Sequence, residues 1–439
     1  MKQEKRSSRK NFLVYIGVAG TLLWATVTGT YATNGYFSHG YGLRYKALAG
    51  AGVALHLSPM AAATNPAAMA FVGHRYDVSV SIFNPNREYT VKGAPSGFPG
   101  TFGLAPGKVE SGNDVFVIPS LAANWPLNED ETISVGVSIY GNGGMNTDYG
   151  TKTFFGSSPT GVDLAQIFVS PTISFIVGER HAFGIMPILA FQTFEARGLQ
   201  AFGNFSSDPA NLTNNNHNNS VGFGLRVGYL GQVLDFLSVG ASVQSKVYMD
   251  KFDDYAGLFS DQGDFDVPVS WVAGFALDFV AFTFAFDVQQ MLYSDINSVG
   301  NPLNLAQISP VLQDGMTPNP SFNPLGNNES SGFGWDDMTV FKFGLQLQTG
   351  GGWTWRTGYS FGDQPIPSSE VLFNILAPGV MQQHLTFGFS RAVGERDINF
   401  ALMRAFSESV TGPNPFEVPG QQTIELKMDQ WEVGFGVSF

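Results

Sequence analysis

Four cations recur in one kind of setting. Arg226, Lys246, Lys342 and Arg356 each fall in a stretch of alternating residues whose neighbours on the same side are glycine, serine or glutamine. Side chains of period two would carry all four to one polar face, where a guanidinium or ammonium is suited to meet the carboxylate of an amphipathic acid. The alternative use of such charges is pairing with one another or with water. Other chemistry is poorly served. The six histidines, at 39, 56, 74, 181, 217 and 384, have no metal-ligand spacing, and neither a nucleophile elbow nor a phosphate-binding glycine loop is present. The absence of cysteine removes disulfides and thiolate chemistry. A dispersed Ser and His meeting only in space is the remaining enzymatic alternative. The expectation is therefore no enzyme, no metal and no cofactor, and the formal net charge of −13 argues against nucleic acid as a partner.

The elements that would hold these cations are strands. Of the 439 residues, 44% are hydrophobic and only 13% charged, about half the roughly 25% charge of an average soluble domain. Beyond residue 75, fourteen alternating segments follow one another, from 75–91 to 424–439. In "TISVGVSIY", Ile133, Val135, Val137 and Ile139 alternate with Thr132, Ser134, Gly136 and Ser138. The third and fourth segments are read as 131–140 and 166–178, and a phase slip between Met428 and Trp431 predicts a β-bulge in the last strand. Short connections such as "PLNED" and "GERH" are interleaved with long ones at 141–165, 198–218, 291–337 and 362–382. A soluble sandwich also alternates, but it would show a charged second face to water. Here the second face is glycine, serine, threonine and glutamine. The fold class expected is all-β, a transmembrane antiparallel barrel of about 14 strands with short periplasmic turns and long outer loops.

Residues 1–32 read as a signal peptide, with a basic start, an apolar run and small residues up to Ala32. Residues 75–439 form the barrel. Between them, residues 33–74 are rich in alanine and glycine and lack alternation, which suits short helices filling the lumen as a hatch. Within them Asn65, Pro66 and Ala67 form a helix-start motif, and Asn65 is placed to bond the strand wall. Gly141, Gly143 and Gly144, in "YGNGGMN" after the third strand, would permit local unpairing of the wall.

The hatch stretch "GYGLRYKALAGAGVA", the tripeptide "NPA" at 65–67, "SKVYMDKFDDYAGLF", "WRTGYSFGDQPIPSSEV" and the terminal strand ending in Phe439 resemble the outer-membrane long-chain fatty acid transporter family, of the FadL and TodX type. The resemblance spans the chain beyond the signal. It implies a plugged fourteen-stranded barrel in the outer membrane of a Gram-negative bacterium, taking up hydrophobic compounds by passive, ligand-gated diffusion. Long-chain fatty acids are the first expectation, neutral aromatic hydrocarbons the alternative, and a general porin a weaker one. Apolar residues in the outer loops would capture the ligand: Tyr255, Leu258 and Phe259, then Leu372, Phe373 and Leu376 with Ile366, Val371 and Ile375 beside them. The expected surroundings are outer-membrane lipid and lipopolysaccharide, with the assembly machinery reading the terminal Phe439. A single barrel enclosing its own path is expected to act as a monomer.

Overall fold

The computed structural model describes residues 34–312 and 316–439, so the expected signal peptide lies outside the described residues. Sixteen strands among them join one antiparallel sheet. Two, Gly107–Glu110 and Tyr248–Met249, are short flaps paired on one side. The others are β1 Arg75–Lys92, β2 Phe116–Pro126, β3 Ile133–Asp148, β4 Gly161–Val177, β5 His181–Arg197, β6 Asn218–Leu234, β7 Leu237–Gln244, β8 Ser270–Asp278, β9 Phe282–Met291, β10 Met338–Thr349, β11 Trp353–Gly362, β12 Gln383–Val393, β13 Arg396–Pro413 and β14 Thr423–Ser438. These fourteen close into a barrel. The seam pairs β1 with β14 from Asp77–Ser438 to Lys92–Thr423. Its last rung lies beyond β14, where Phe439 and Tyr76 exchange backbone hydrogen bonds of 2.7 and 3.0 Å and stack their rings 5.4 Å apart.

Alternation has the physical cause expected of a lipid-facing wall. Val78, Val80 and Ile82 on β1, Val221, Phe223 and Leu225 on β6, and Leu385 and Phe387 on β12 all stand exposed on the outside. No helix of the described residues is long and apolar enough to cross a membrane. At the short-turn rim, Tyr76, Trp125, Phe175, Phe183, Tyr229, Trp353 and Phe389 form aromatic pairs around the barrel, the position at which aromatic rings settle at the lipid–water boundary.

Two readings of strand detail are corrected. The third strand does not end at Tyr140: β3 continues to Asp148 and β4 begins at Gly161, which reduces the loop expected at 141–165 to 149–160. The bulge near the seam belongs to β13, between Ala405 and Glu408, opposite β14. The inward face of β14 runs Ile424, Leu426, Met428, Gln430, Glu432, Gly434 with no slip. What changes at Met428 is the character of the lumen, apolar toward the long loops and polar toward the short turns. β1 changes in the same way, from Asp77, Ser79 and Ser81 to Phe83, Tyr89 and Val91.

The polar half is filled by residues 34–74, which include one helical turn, Leu43–Lys46, and two 3-10 turns, Pro59–Ala63 and Pro66–Phe71. Their backbone comes so close to the wall that side chains are excluded there. A Cβ on Gly358 would lie 2.2 Å from a Leu48 backbone carbon, and one on Gly184 2.3 Å from the Ala67 nitrogen. Opposite the 3-10 turns, Ser138 and Ser170 pair across β3 and β4, as do Ser134 and Ser174, with hydroxyls that find no protein partner among the described residues.

This two-faced wall makes opposite substitutions unequal. Leu189→Arg, on the lipid side of β5, should destabilise folding into vesicles by about 2–4 kcal/mol. Ser174→Ala, inside, removes an unbonded hydroxyl and should change it by less than about 0.5 kcal/mol. Denaturant titration of reconstituted protein reads both.

Candidate functional site

The structure turns three of the four expected cations inward and gives each a structural partner. Arg226 donates to the Thr64 carbonyl at 3.1 Å and to Gln244 Oε1 at 2.7 Å. Lys342 donates to the His39 carbonyl at 3.0 Å. Arg356 bonds its wall neighbours, Gln346 Oε1 at 2.8 Å and Ser390 Oγ at 2.7 Å. Lys246 is a correction. The phase that would turn it inward ends with β7 at Gln244, and from the loop it donates to the Asp295 carbonyl at 3.0 Å. Its charge is felt by the loop carboxyls Asp264 and Asp266; burial, then the neighbouring carboxylates, push Asp264 up to about 6.

Further groups hold the 34–74 segment, and sequence reasoning missed all of them but Asn65. Lys46 forms an ion pair with Glu432 of β14. Arg44 pairs with Asp397 of β13 at 2.6 Å, and Arg75 meets the same carboxylate. Asp287 accepts from the Gly52 and Val53 amides at 2.7 and 2.9 Å, and Thr386 binds both the Ala49 amide and the Ala47 carbonyl. Asn65 caps the 3-10 turn beginning at Pro66 by accepting from the Ala67 amide, while its Nδ2 donates to the Tyr229 carbonyl at 2.9 Å. These partners were hidden because they lie up to 386 residues away in sequence.

Above the segment the lumen is apolar. An outer cleft with about 570 Å³ of empty space, its open mouth included, is lined by Phe154, Val162, Phe194, Leu199, Phe202, Leu212, Leu258, Phe259, Leu325, Phe333, Phe373 and Leu376, with Ser260, Ser298, Ser331 and Gly332. No charged side chain among the described residues lines it. The aromatic rings interlock: Phe194 lies 4.6 Å from Phe259, and Phe202 5.6 Å from Phe373. Four expected capture residues, Leu258, Phe259, Phe373 and Leu376, reach the cleft. Tyr255 stands behind it, its ring 4.9 Å from Phe194 and its hydroxyl donating to the Asn216 carbonyl. Leu372, Ile366, Val371 and Ile375 are buried in the surrounding core. The missed members come from four separate stretches; the runs "TKTFFG" and "QAFGNF" in polar loops were the available signal.

A second cleft, about 320 Å³ on the same measure, is lined by Gly35, Pro85, Arg87, Gly144, Met145, Asn146, Trp335, Ala377, Pro378, Gly379 and Met428. The Arg87 guanidinium donates to the Asn146 carbonyl at 2.7 Å and lies 5.6 Å from the Phe116 ring. This cleft abuts an interruption in the wall. Register shifts between Gly141 and Gly143, and residues 36–38 dock there: Phe37 bridges to Gly143, the Ser38 amide donates to the Asn142 carbonyl and the Gly144 amide to the Tyr36 carbonyl, both at 3.0 Å. A Cβ on Gly143 would sit 1.9 Å from the Tyr36 oxygen, which explains a glycine there sterically.

A profile of the family described as outer membrane protein transport protein (OMPP1/FadL/TodX) matches residues 22–390. Solved structures share the fold at low identity. A Pseudomonas aeruginosa FadL homologue superposes with a TM-score of 0.66 at 14% identity, covering 92% of this chain and 98% of that one. The Pseudomonas putida toluene transporter TodX gives 0.64 at 18%, covering 92% and 99%, and the Ralstonia pickettii toluene transporter TbuX 0.58 at 16%, covering 91% and 98%. No curated protein matches the sequence.

The buried Lys46–Glu432 pair offers a direct check on what holds the inner segment. Glu432→Gln leaves Lys46 buried without its counter-charge and should weaken the docking by about 3–5 kcal/mol. The expected readout is faster amide exchange over residues 43–49, with the β5 and β6 amides unchanged.

Proposed function

Since the chain belongs to the outer membrane protein transport family (OMPP1/FadL/TodX), a family of outer-membrane channels for hydrophobic compounds rather than of enzymes, we propose that it takes up uncharged hydrophobic molecules, small aromatic hydrocarbons among them, by passive diffusion through a plugged barrel. One observation carries this choice of ligand: the outer cleft is lined by aromatic and aliphatic side chains and three serines, with no charge among the described residues there. Removing an apolar solute from water there is favourable by about 0.8 kcal/mol per buried CH₂. A carboxylate in the same place would lose its hydration without a partner, and Arg226, Lys342 and Arg356 hold the inner segment and the wall instead.

Residues 34–74 act as the hatch in this reading, closing the periplasmic half. The bulge at Gly141, Gly143 and Gly144 is the route by which a ligand in the second cleft leaves sideways into the membrane, since Gly144, Met145 and Asn146 line that cleft. The loops face lipopolysaccharide, and one barrel suffices, so the protein works as a monomer. A second reading, long-chain fatty acids, is supported by Arg87: a guanidinium on the inner cleft, beside Met145 and Met428, would suit a carboxylate whose chain extends outward.

Equilibrium binding of radiolabelled toluene and of oleate to the purified protein separates the two. Phe259→Ala and Phe333→Ala should each weaken toluene binding about tenfold. Arg87→Met should leave toluene unaffected. Oleate binding that competes with toluene and collapses in Arg87→Met would transfer the assignment to fatty acids. Absence of binding by either ligand would remove both readings.

A further inference from the structure

The two clefts share a wall built from two short loop segments. Along the first, Phe333 faces the outer cleft and Trp335 the inner one. Along the second, Leu376 faces the outer cleft and Ala377 and Pro378 the inner one. Residues one or two apart in sequence thus line opposite sides, so these two stretches of chain stand between the spaces.

One side chain clasps them together. Asn374, fully buried, accepts from the Trp335 indole nitrogen at 2.6 Å and donates to the Phe333 carbonyl at 2.7 Å and to the Glu370 carbonyl at 2.8 Å. Two of its three bonds therefore cross between the segments. The second segment is also tied to the end of β3 and the residue after it: the Thr147 and Tyr149 hydroxyls donate to the Leu376 and Ile375 carbonyls, each at 2.8 Å. The first segment hangs on Asn374 and on backbone bonds to 298–299. Gly334, at φ 70°, gives the first segment a point of backbone freedom beside the clasp, and Gly379 leaves room for the Trp335 ring, which a Cβ there would meet at 2.8 Å.

We infer that residues 333–335 and 374–379 form an internal gate between the two clefts, with Asn374 as the positioning residue that holds it shut. The movable leaf is 333–335, since the other is fastened to the wall. An apolar molecule in the outer cleft packs against Phe333 and Leu376, and passage inward requires the Asn374–Trp335 and Asn374–Phe333 bonds to part. The inference rests on the proposed uptake of hydrophobic compounds, in which ligand moves from the outer cleft to the inner one.

The test uses the full chain in the outer membrane of a host lacking other such channels, with toluene as probe, and purified protein for amide exchange. Asn374→Ala should raise the saturated uptake rate about fivefold, as expected for one or two lost hydrogen bonds, and leave the half-saturating concentration unchanged. Trp335→Phe, which keeps the ring and removes only the indole N–H, should act in the same sense to a smaller extent. Unchanged or reduced saturated rates in both variants, or a rise matched by an equal rise in half-saturation, would overturn the gate. Amide exchange separates this failure from failure of the transport reading, because it needs no ligand: residues 333–335 should exchange faster in Asn374→Ala while β5 and β6 do not. If those amides keep their wild-type rates, Asn374 clasps nothing, whatever toluene does.

Discussion

A backbone amide in hydrocarbon has no water to bond, so a sheet that crosses a bilayer can leave no edge unpaired. Everything else about this chain is arranged within that constraint. The strands must be long enough, their outward residues must be apolar, and the first must find the last, which it does from Asp77 to Lys92. Inward residues are released from the demand of lipid and carry the chemistry. Where β3 bulges at Asn142, the backbone of residues 36–38 supplies partners at the irregularity, so the same rule that closes the seam also recruits the inner segment to the wall.

The lumen is divided by height. Near the short turns, glycine and serine line the wall, and a few charges, the buried Glu432 and Asp287 and the half-buried Asp397, fasten the segment that fills it. Near the long loops, phenylalanine, leucine and methionine take over. Single strands span both regimes, as the run from Ile424 to Glu432 shows. Charges are therefore spent on holding protein to protein, and the space left for a ligand is the apolar half. The selectivity argued above follows from that division rather than from any single residue.

The barrel was legible because period two survives wherever one face meets lipid: each of the fourteen alternating segments overlaps a strand. Two boundaries were not. Gly141, Gly143 and Gly144 have little intrinsic preference for a strand, and pairing with β4 decided their conformation. The change from Met428 to Gln430 looked like a slip in phase because hydrophobicity stood in for direction, and inside a lumen polarity does not report direction. In the site, Leu258, Phe259, Phe373 and Leu376 were visible as apolar residues in otherwise polar loops. Phe194 looked like ordinary wall, and Asn374 like ordinary loop, since only the fold reveals what each touches. Lys246 shows the opposite failure, a pattern extrapolated two residues past the end of its strand.

The ion pairs of the inner segment also say something about time. Arg44 and Lys46 precede the first strand of the barrel, yet their partners Asp397 and Glu432 belong to the final two strands. Contacts separated by more than 350 residues carry a heavy loop-closure cost and form late. Until β13 and β14 are paired, the sheet is an open trough with two bare edges, and the inner segment has both of its cations, Arg44 and Lys46, unmet. The zipping of the seam and the seating of the segment thus become one event. A chain truncated before β13 would lose the fastening as well as the wall, and assembly should read as all-or-none.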